Sequence, residues 1–101
     1  MENLVELRNE IDVIDREIVD LFQKRMKISS EVAEYKISTG KKVFDRAREA
    51  QKIQAVTELA DNDFNRHGIE ELFQQIMSMS RKLQYQLLEK RRGGTPSLYC
   101  C

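Results

Sequence analysis

A heptad repeat of apolar residues runs through the first third of the chain. Counted from Leu4, the a and d positions are Leu4, Leu7, Ile11, Ile14, Ile18, Leu21, Arg25, Ile28, Val32 and Tyr35. Nine of these ten side chains are apolar or aromatic, which is typical of a long helix that packs against another helix. The exception is Arg25. A guanidinium buried in such a seam is costly unless an anion meets it, so the pattern indicates a helix that holds an anion.

The composition favours an all-α domain and excludes a general affinity for nucleic acid. Charged residues make up 34% of the 101 residues, hydrophobic ones 41%, and there is a single proline. Such a profile, rich in Glu, Lys, Arg, Leu and Ile, is typical of helical proteins. The formal net charge is zero, so the chain has no global positive field that would attract a polyanion. Any anion site must therefore be local.

The cysteines and the apolar runs exclude several further classes of protein. Cys100 and Cys101 are adjacent at the C-terminus, where they cannot form a disulfide that stabilises a core, and their spacing matches no metal site. No apolar run is as long as a membrane span or the core of a signal peptide. We therefore expect a cytoplasmic protein with no metal, no cofactor and no membrane partner.

Periodicity and end signals predict three helices in one domain, residues 1–89, followed by a disordered tail, residues 90–101. The first helix is expected over residues 3–38, because Gly40 is a typical residue after a helix end. The second is capped by Asp45 and runs through Leu59. A loop is expected over residues 61–68, with His67 in it, and a third helix over residues 69–89.

The length of the first helix predicts a homodimer. At about 1.5 Å per residue it would be about 50 Å long, whereas a compact chain of this size has a radius of gyration of about 13 Å. The remaining residues cannot cover such a helix at both ends. We therefore expect two chains to associate as an intertwined or antiparallel dimer.

The cations of the first helix fall into two groups. Arg25 and Lys36 are eleven residues apart, close to a whole number of turns, so they share a face. Arg8 lies seventeen residues before Arg25, about 100° round the helix and about 25 Å away. Arg8 therefore cannot reach an anion held by Arg25 and Lys36 of its own chain. It could do so from the partner chain of an antiparallel dimer.

Polar residues of the other two helices could complete such a site. Arg48 and Glu49 lie in the first turn of the second helix, where backbone N–H groups and the helix dipole suit an anion. On the third helix, Ser80 and Gln84 are spaced i and i+4, and Met77 lies one turn earlier on the same face. A hydroxyl and an amide beside an apolar stripe can hydrogen-bond a ligand inside a helical bundle.

Each of these features also has a structural explanation. An arginine at one a position can set the register of a coiled coil, and cations at e positions, here Arg8 and Lys36, often pair with a neighbouring helix. Ser80 and Gln84 can belong to a solvated face. The residues alone leave these alternatives open, and the joint pattern is what favours a ligand site.

Four motifs together resemble the all-helical chorismate mutases, most closely the mutase domain at the N-terminus of bifunctional mutase–prephenate dehydratases. They are Leu7-Arg8-Asn9-Glu10-Ile11-Asp12, Lys24-Arg25-Met26 with Glu31-Val32-Ala33-Glu34-Tyr35-Lys36, Val43-Phe44-Asp45-Arg46-Ala47-Arg48-Glu49, and Ser80-Arg81-Lys82-Leu83-Gln84. The resemblance covers about residues 1–89, and four motifs in this order on three helices are specific.

The resemblance implies a dimeric isomerase without a cofactor, in which Arg8 enters the partner's site. It implies that Arg25 and Arg48 bind the substrate carboxylates and that Lys36 binds the ether oxygen and a carboxylate. Asp45, through its backbone, and Glu49 would contact the ring hydroxyl. The remaining implied contacts are a carboxylate for Ser80, the ether oxygen for Gln84, and the ring for Val32 and Met77, where Met77 replaces a branched aliphatic residue.

Chorismate suits this pattern because it carries two carboxylates and rearranges without a nucleophile, a metal or a proton transfer. The protein needs only to fold the substrate into a reactive conformer and to stabilise charge on the breaking ether bond. Two other functions fit the fold: an isochorismate–pyruvate lyase with a similar cationic pocket, and a dimerisation or ligand-sensing module without catalysis.

Overall fold

The computed structural model describes residues 3–91 and consists of three helices, with no strand in that range. The helices are α1 (Leu4–Thr39), α2 (Arg46–Thr57) and α3 (Asp63–Arg91). The prediction of an all-α fold with a very long first helix is confirmed. Within the described residues, no helix is both long enough and apolar enough to cross a membrane.

Helix α1 has a clear signal at each end. The side chain of Asn3 accepts a hydrogen bond from the backbone N–H of Glu6 at 2.8 Å, which satisfies one of the free donors of the first turn. At the other end Gly40 has φ 74°, and its N–H donates to the carbonyl of Lys36. A left-handed residue in that position ends helices because only glycine adopts it without steric cost. Both predicted ends are correct to within one residue.

Helix α2 begins where its predicted cap lies. The carboxylate of Asp45 accepts a hydrogen bond from the backbone N–H of Arg48 at 3.0 Å. Glu49 follows in the first turn, where a carboxylate is favourable beside the positive end of the helix dipole. The cap therefore fixes the direction in which the side chains of Arg48 and Glu49 project from α2.

Helix α3 is longer than the sequence predicted, so the expected loop over residues 61–68 is correct only for residues 61 and 62 and wrong for residues 63–68. The side chain of Asn62 accepts a hydrogen bond from the backbone N–H of Asn65 at 2.7 Å, and α3 starts at Asp63. Gly68 lies inside the helix, although a glycine costs about 1 kcal/mol there. The cap at Asn62 and the acidic first turn outweigh that cost, and His67 is an exposed helical residue instead of a loop residue.

The predicted tail also begins too early. Lys90 and Arg91 form the last turn of α3, and Arg91 makes an ion pair with Glu34 of α1. Cations are favourable at a helix C-terminus, which accounts for the extension. The rest of the predicted tail, residues 92–101, lies outside the described residues, as do residues 1 and 2.

Helix α3 packs against both other helices and supplies half of the buried side chains. Within residues 3–91, the buried apolar side chains are Ala33, Val43 and Met77. The buried polar side chains are as numerous: Ser29, Ser80 and Gln84. An interior that is half polar is unusual, since buried polar groups must find hydrogen-bond partners. The polar part of this interior therefore calls for a functional explanation.

The apolar heptad seam of α1 is not the face that packs on α3. All nine of its apolar side chains are exposed in the described chain, with exposed fractions between 40% for Val32 and 63% for Leu21. The face of α1 that packs on α3 contains Ser29 and Ala33 instead. The molecule is accordingly elongated, with extents of 58 × 26 × 23 Å and a radius of gyration of 17.2 Å. A stripe of apolar surface about nine turns long is left for another surface to cover.

Candidate active site

Three buried polar side chains connect α1 and α3. The Nε2 atom of Gln84 donates to the Oγ of Ser29 at 3.0 Å and to the Oγ of Ser80 at 3.3 Å. The two serine hydroxyls are also hydrogen-bonded to each other. Small side chains at positions 29 and 33 allow the helices to approach closely enough for these contacts. The cluster fixes the position of the Gln84 side chain, which is only 7% exposed.

One end of the Gln84 amide remains unpaired. Its Oε1 is buried and has no hydrogen-bond partner among the residues that the structure describes. Leaving a buried polar atom unpaired costs about 1–3 kcal/mol, so such atoms are rare in stable interiors. A polar group of this kind, held in place at one end and unsatisfied at the other, marks a place where a ligand can be recognised.

A small cavity with a strongly positive lining adjoins this cluster. Its volume is about 130 Å³, and it is lined by Arg25, Arg48, Glu49, Lys52, Met77, Ser80 and Arg81. Four of these side chains are cationic and one is anionic, although the chain as a whole is neutral. Guanidinium groups are planar donors that match carboxylates in bidentate geometry. The local excess of cations makes this cavity suited to an organic anion.

Glu49 is paired inside the cavity by Arg81. The Nη1 of Arg81 donates to the Oε1 of Glu49, and the two side chains are 31% and 24% exposed. The same guanidinium lies over the ring of Phe44, with its central carbon 4.9 Å from the ring centroid. Stacking on an aromatic face restricts the guanidinium plane. Arg81 therefore holds the Glu49 carboxylate in one position between α2 and α3.

Lys36 lies at a second, larger cavity. Its Nζ donates to the backbone carbonyl of Val43 at 2.6 Å, which ties the end of α1 to the segment before α2. The cavity has a volume of about 740 Å³ and is formed by the end of α1, the connecting segment and the end of α3. An ammonium has three N–H donors, so the bond to Val43 leaves further donors for a ligand.

The structure brings together most, but not all, of the residues that the sequence singled out. Five of them line the small cavity: Arg25, Arg48, Glu49, Met77 and Ser80. Gln84 is hydrogen-bonded to one of these, Ser80. The predicted roles of all ten residues in binding or catalysis remain predictions.

Four predicted residues lie elsewhere. Lys36 lines the larger cavity, and Asp45 is an exposed cap at the start of α2. Val32 lies on the exposed seam of α1 and lines neither of these two cavities. Arg8 is exposed near the start of α1, seventeen residues and about 25 Å from Arg25. The described chain by itself therefore brings neither Arg8 nor Val32 to either of these cavities.

Sequence reasoning missed Ser29, Lys52 and Arg81. A signal for Ser29 existed, because Ser29 and Ala33 are small residues at i and i+4, a spacing that allows close helix approach. Arg81 gave no signal, since its role depends on the pairing of α3 with α2. Within residues 3–91, no group of three or more His, Cys, Asp or Glu residues is arranged to hold a metal ion.

Comparison with known proteins places this chain in a family. Residues 7–85 match the family described as chorismate mutase type II. The chain is 37% identical over 89 residues to a bifunctional chorismate mutase/prephenate dehydratase of Buchnera aphidicola subsp. Schizaphis graminum, a match that covers 87% of this chain. It is 30% identical over 98 residues to a chorismate mutase of Methanocaldococcus jannaschii, covering 92% of this chain.

The matched relatives differ greatly in length. The chain spans 23% of the Buchnera protein, but 95% of the Methanocaldococcus protein. A T-protein of Haemophilus influenzae is 42% identical over 55 residues, which are 54% of this chain and 15% of that protein. No solved structure matches the chain significantly.

The Arg81–Glu49 pair should stabilise the fold more than a surface ion pair does. We expect a double-mutant cycle with Arg81→Leu and Glu49→Gln to give a coupling free energy of about 1–2 kcal/mol, because both side chains are mostly buried. The Asp20–Lys24 pair on α1 is the matched control. Its side chains are 61% and 67% exposed, so its coupling should stay below about 0.5 kcal/mol.

Urea unfolding at one fixed protein concentration measures both cycles. Equal coupling free energies for the two pairs would contradict the structural role given to Arg81.

Proposed function

Because this chain belongs to the chorismate mutase type II family, we propose that it catalyses the rearrangement of chorismate to prephenate. One observation carries the proposal: Arg25 and Arg48, from two different helices, line a single cavity next to the buried amide of Gln84. Cations for two carboxylates and a neutral donor between them are what this substrate requires. The names of the relatives from Buchnera and Methanocaldococcus support the same reaction.

Substrate binding falls to the cations and hydroxyls of the cavity. Arg25 and Arg48 bind the two carboxylates as bidentate donors. Ser80 donates to one carboxylate from α3, and Glu49, held by Arg81, accepts from the ring hydroxyl. Asp45 offers its backbone to the same hydroxyl at the start of α2. Met77 and Val32 pack against the ring.

Catalysis consists of holding one conformer and stabilising one developing charge. In the rearrangement the ether C–O bond breaks while a new C–C bond forms, so negative charge builds up on the ether oxygen. Lys36 and Gln84 donate to that oxygen. Donors that are held in position once the substrate is bound cost little reorganisation during the reaction, which is why such groups contribute strongly to rate. Clamping the flexible substrate removes much of the remaining entropic barrier.

We further propose that the site is completed by a second copy of the chain. The apolar seam of α1 is exposed along its length, and its a and d pattern suits pairing with an identical helix. In an antiparallel arrangement the Arg8 of one chain approaches Arg25 and Lys36 of the other. Val32, which is exposed in one chain, then faces the shared interface. Each of the two sites would contain one arginine from the partner.

Incubation with chorismate tests the proposed reaction. We expect the absorbance of chorismate to fall with formation of prephenate and without release of pyruvate. Arg25→Ala should lower kcat/KM by about 10²–10³-fold, because it removes a charged contact to the substrate. Arg16→Ala is the matched control on the exposed face of α1 and should leave the rate unchanged. Pyruvate release would instead indicate a lyase, and no turnover would refute both enzymatic functions.

Mixed dimers test whether Arg8 acts in the partner's site. Chains with Arg8→Ala or Arg25→Ala should each be inactive, but each heterodimer should contain one intact site. Random exchange should therefore restore about a quarter of wild-type activity. Mixing Arg25→Ala with Arg48→Ala is the control, because both residues belong to one chain's site and no intact site can form. Equal recovery in both mixtures, or recovery in neither once mass spectrometry detects heterodimers, would contradict shared sites.

The pH dependence of Gln84→Glu tests the donor at the ether oxygen. An amide donates at every pH, so wild-type activity should be nearly flat across neutral pH. The introduced carboxyl group donates only when protonated, and a reference glutamate has a pKa of about 4.3. The variant should therefore be impaired at neutral pH and recover as pH falls. Gln86→Glu, exposed on the same helix, should parallel wild type. If the pH–rate profile of Gln84→Glu is parallel to that of the wild type, Gln84 does not donate to the ether oxygen.

A further inference from the structure

Arg81 differs from the other cations of the small cavity because it already has an anionic partner. Its Nη1 donates to the Oε1 of Glu49, the carboxylate of the cavity lining. The other three cations of the lining form no ion pair with any residue that the structure describes; they are Arg25, Arg48 and Lys52. A guanidinium whose charge is balanced attracts a further anion less strongly. The substrate carboxylates are therefore left to those three cations, and Arg81 has a different task.

The ring of Phe44 restricts the orientation of the Arg81 guanidinium. The central carbon of the guanidinium lies 4.9 Å from the ring centroid, within the range of a cation–π contact. The N–H donors of an arginine all lie in one plane, so a group that holds the plane also sets the direction of each donor. The guanidinium is thus held by a ring on one side and by the Glu49 carboxylate on another.

Phe44 itself lies on a short segment that is anchored on both sides. Val43 before it is buried, and its carbonyl accepts a hydrogen bond from the Nζ of Lys36 at 2.6 Å. Asp45 after it caps α2 by accepting from the backbone N–H of Arg48 at 3.0 Å. The position of the ring relative to α3 is therefore set by the end of α1 and the start of α2.

Glu49 needs such support because other cations line the same cavity. Its side chain is flexible, and a carboxylate that is not held can pair with any cation within reach. Arg48 precedes Glu49 on α2, and Lys52 follows three residues later on the same side of the helix. The contact with Arg81 selects one position for the carboxylate, on the side of α3. An acceptor held in one place favours a hydroxyl that is presented there.

We propose that Arg81, oriented by Phe44, is a positioning residue that holds Glu49 as the acceptor for the ring hydroxyl and so sets the preference for a substrate with that hydroxyl. The inference rests on the proposed function, in which Glu49 accepts from this group. A site built to hydrogen-bond a hydroxyl rejects an analogue without it, because the acceptor is then left unpaired. Arg81 acts only through Glu49 and does not bind the substrate.

The ratio of kcat/KM for chorismate to kcat/KM for its analogue with hydrogen in place of the ring hydroxyl tests this preference. Arg81→Leu should lower the ratio about five- to tenfold. Phe44→Leu leaves both charges in place and should lower it about two- to threefold, whereas Phe44→Tyr keeps the aromatic face and should retain the wild-type ratio. Arg66→Leu is the matched control, because Arg66 pairs with the exposed Asp63 on the same helix. An unchanged ratio in Arg81→Leu would overturn the inference.

A second substitution tests whether Arg81 acts through Glu49. In a Glu49→Gln background the carboxylate that Arg81 holds is absent, so Arg81→Leu should change kcat/KM for chorismate by less than about twofold. In the wild-type background the same change should lower it about tenfold. An equal loss in both backgrounds would mean that Arg81 contacts the substrate itself, and would overturn the positioning role.

Nuclear magnetic resonance of the free protein separates this inference from the proposed function. The Phe44 ring current should shield the side-chain protons of Arg81, so Phe44→Leu should move their signals downfield. Unchanged signals would overturn the orienting role of Phe44 whether or not the protein converts chorismate. If the wild-type protein does not convert chorismate, the proposed function fails. If it does, and the substrate ratio of Arg81→Leu is unchanged, the role of Arg81 fails alone.

Discussion

A helix that is longer than the rest of the chain can cover determines how this protein is organised. Helix α1 has 36 residues, and only its C-terminal half is placed to pack on α3 through Ser29 and Ala33. Its apolar seam stays exposed, while the described interior contains three buried apolar side chains. Burial of apolar surface is the main favourable term in folding. An interior this small therefore offers little stability. A second copy on the seam would supply the missing core and bring Arg8 to the site.

The site lies where the helices pack through polar groups. Ser29, Ser80 and Gln84 replace an apolar contact between α1 and α3, and the cations of the neighbouring cavity come from all three helices. Stability and function are divided between two faces of α1. The face toward α3 carries the hydrogen-bonded cluster, and the seam carries the apolar surface. Arg25 occupies a seam position in the sequence, but its side chain lines the cavity. It therefore connects the two faces of α1.

Local signals made much of the fold predictable from sequence. Asp45 and Gly40 act within a few residues of their own positions, so the helix ends that they mark are correct. The start of α3 was predicted too late because the polar stretch over residues 61–68 was interpreted as a loop, whereas in the molecule Asn62 caps the helix and Gly68 lies within it. The resemblance named Ser80 and Gln84, but Ser29 and Arg81 depend on which helix faces meet. That pairing is set by tertiary packing and not by spacing along one helix.

Sedimentation equilibrium at micromolar concentration tests whether a second chain covers the seam of α1. We predict a single species of twice the 11.9 kDa chain mass. We also predict that Ile14→Asp, which places a charge in the middle of the seam, shifts the mass toward that of one chain with loss of helical circular dichroism. A wild-type protein that sediments at 11.9 kDa and remains fully helical would rule out a second chain on the seam.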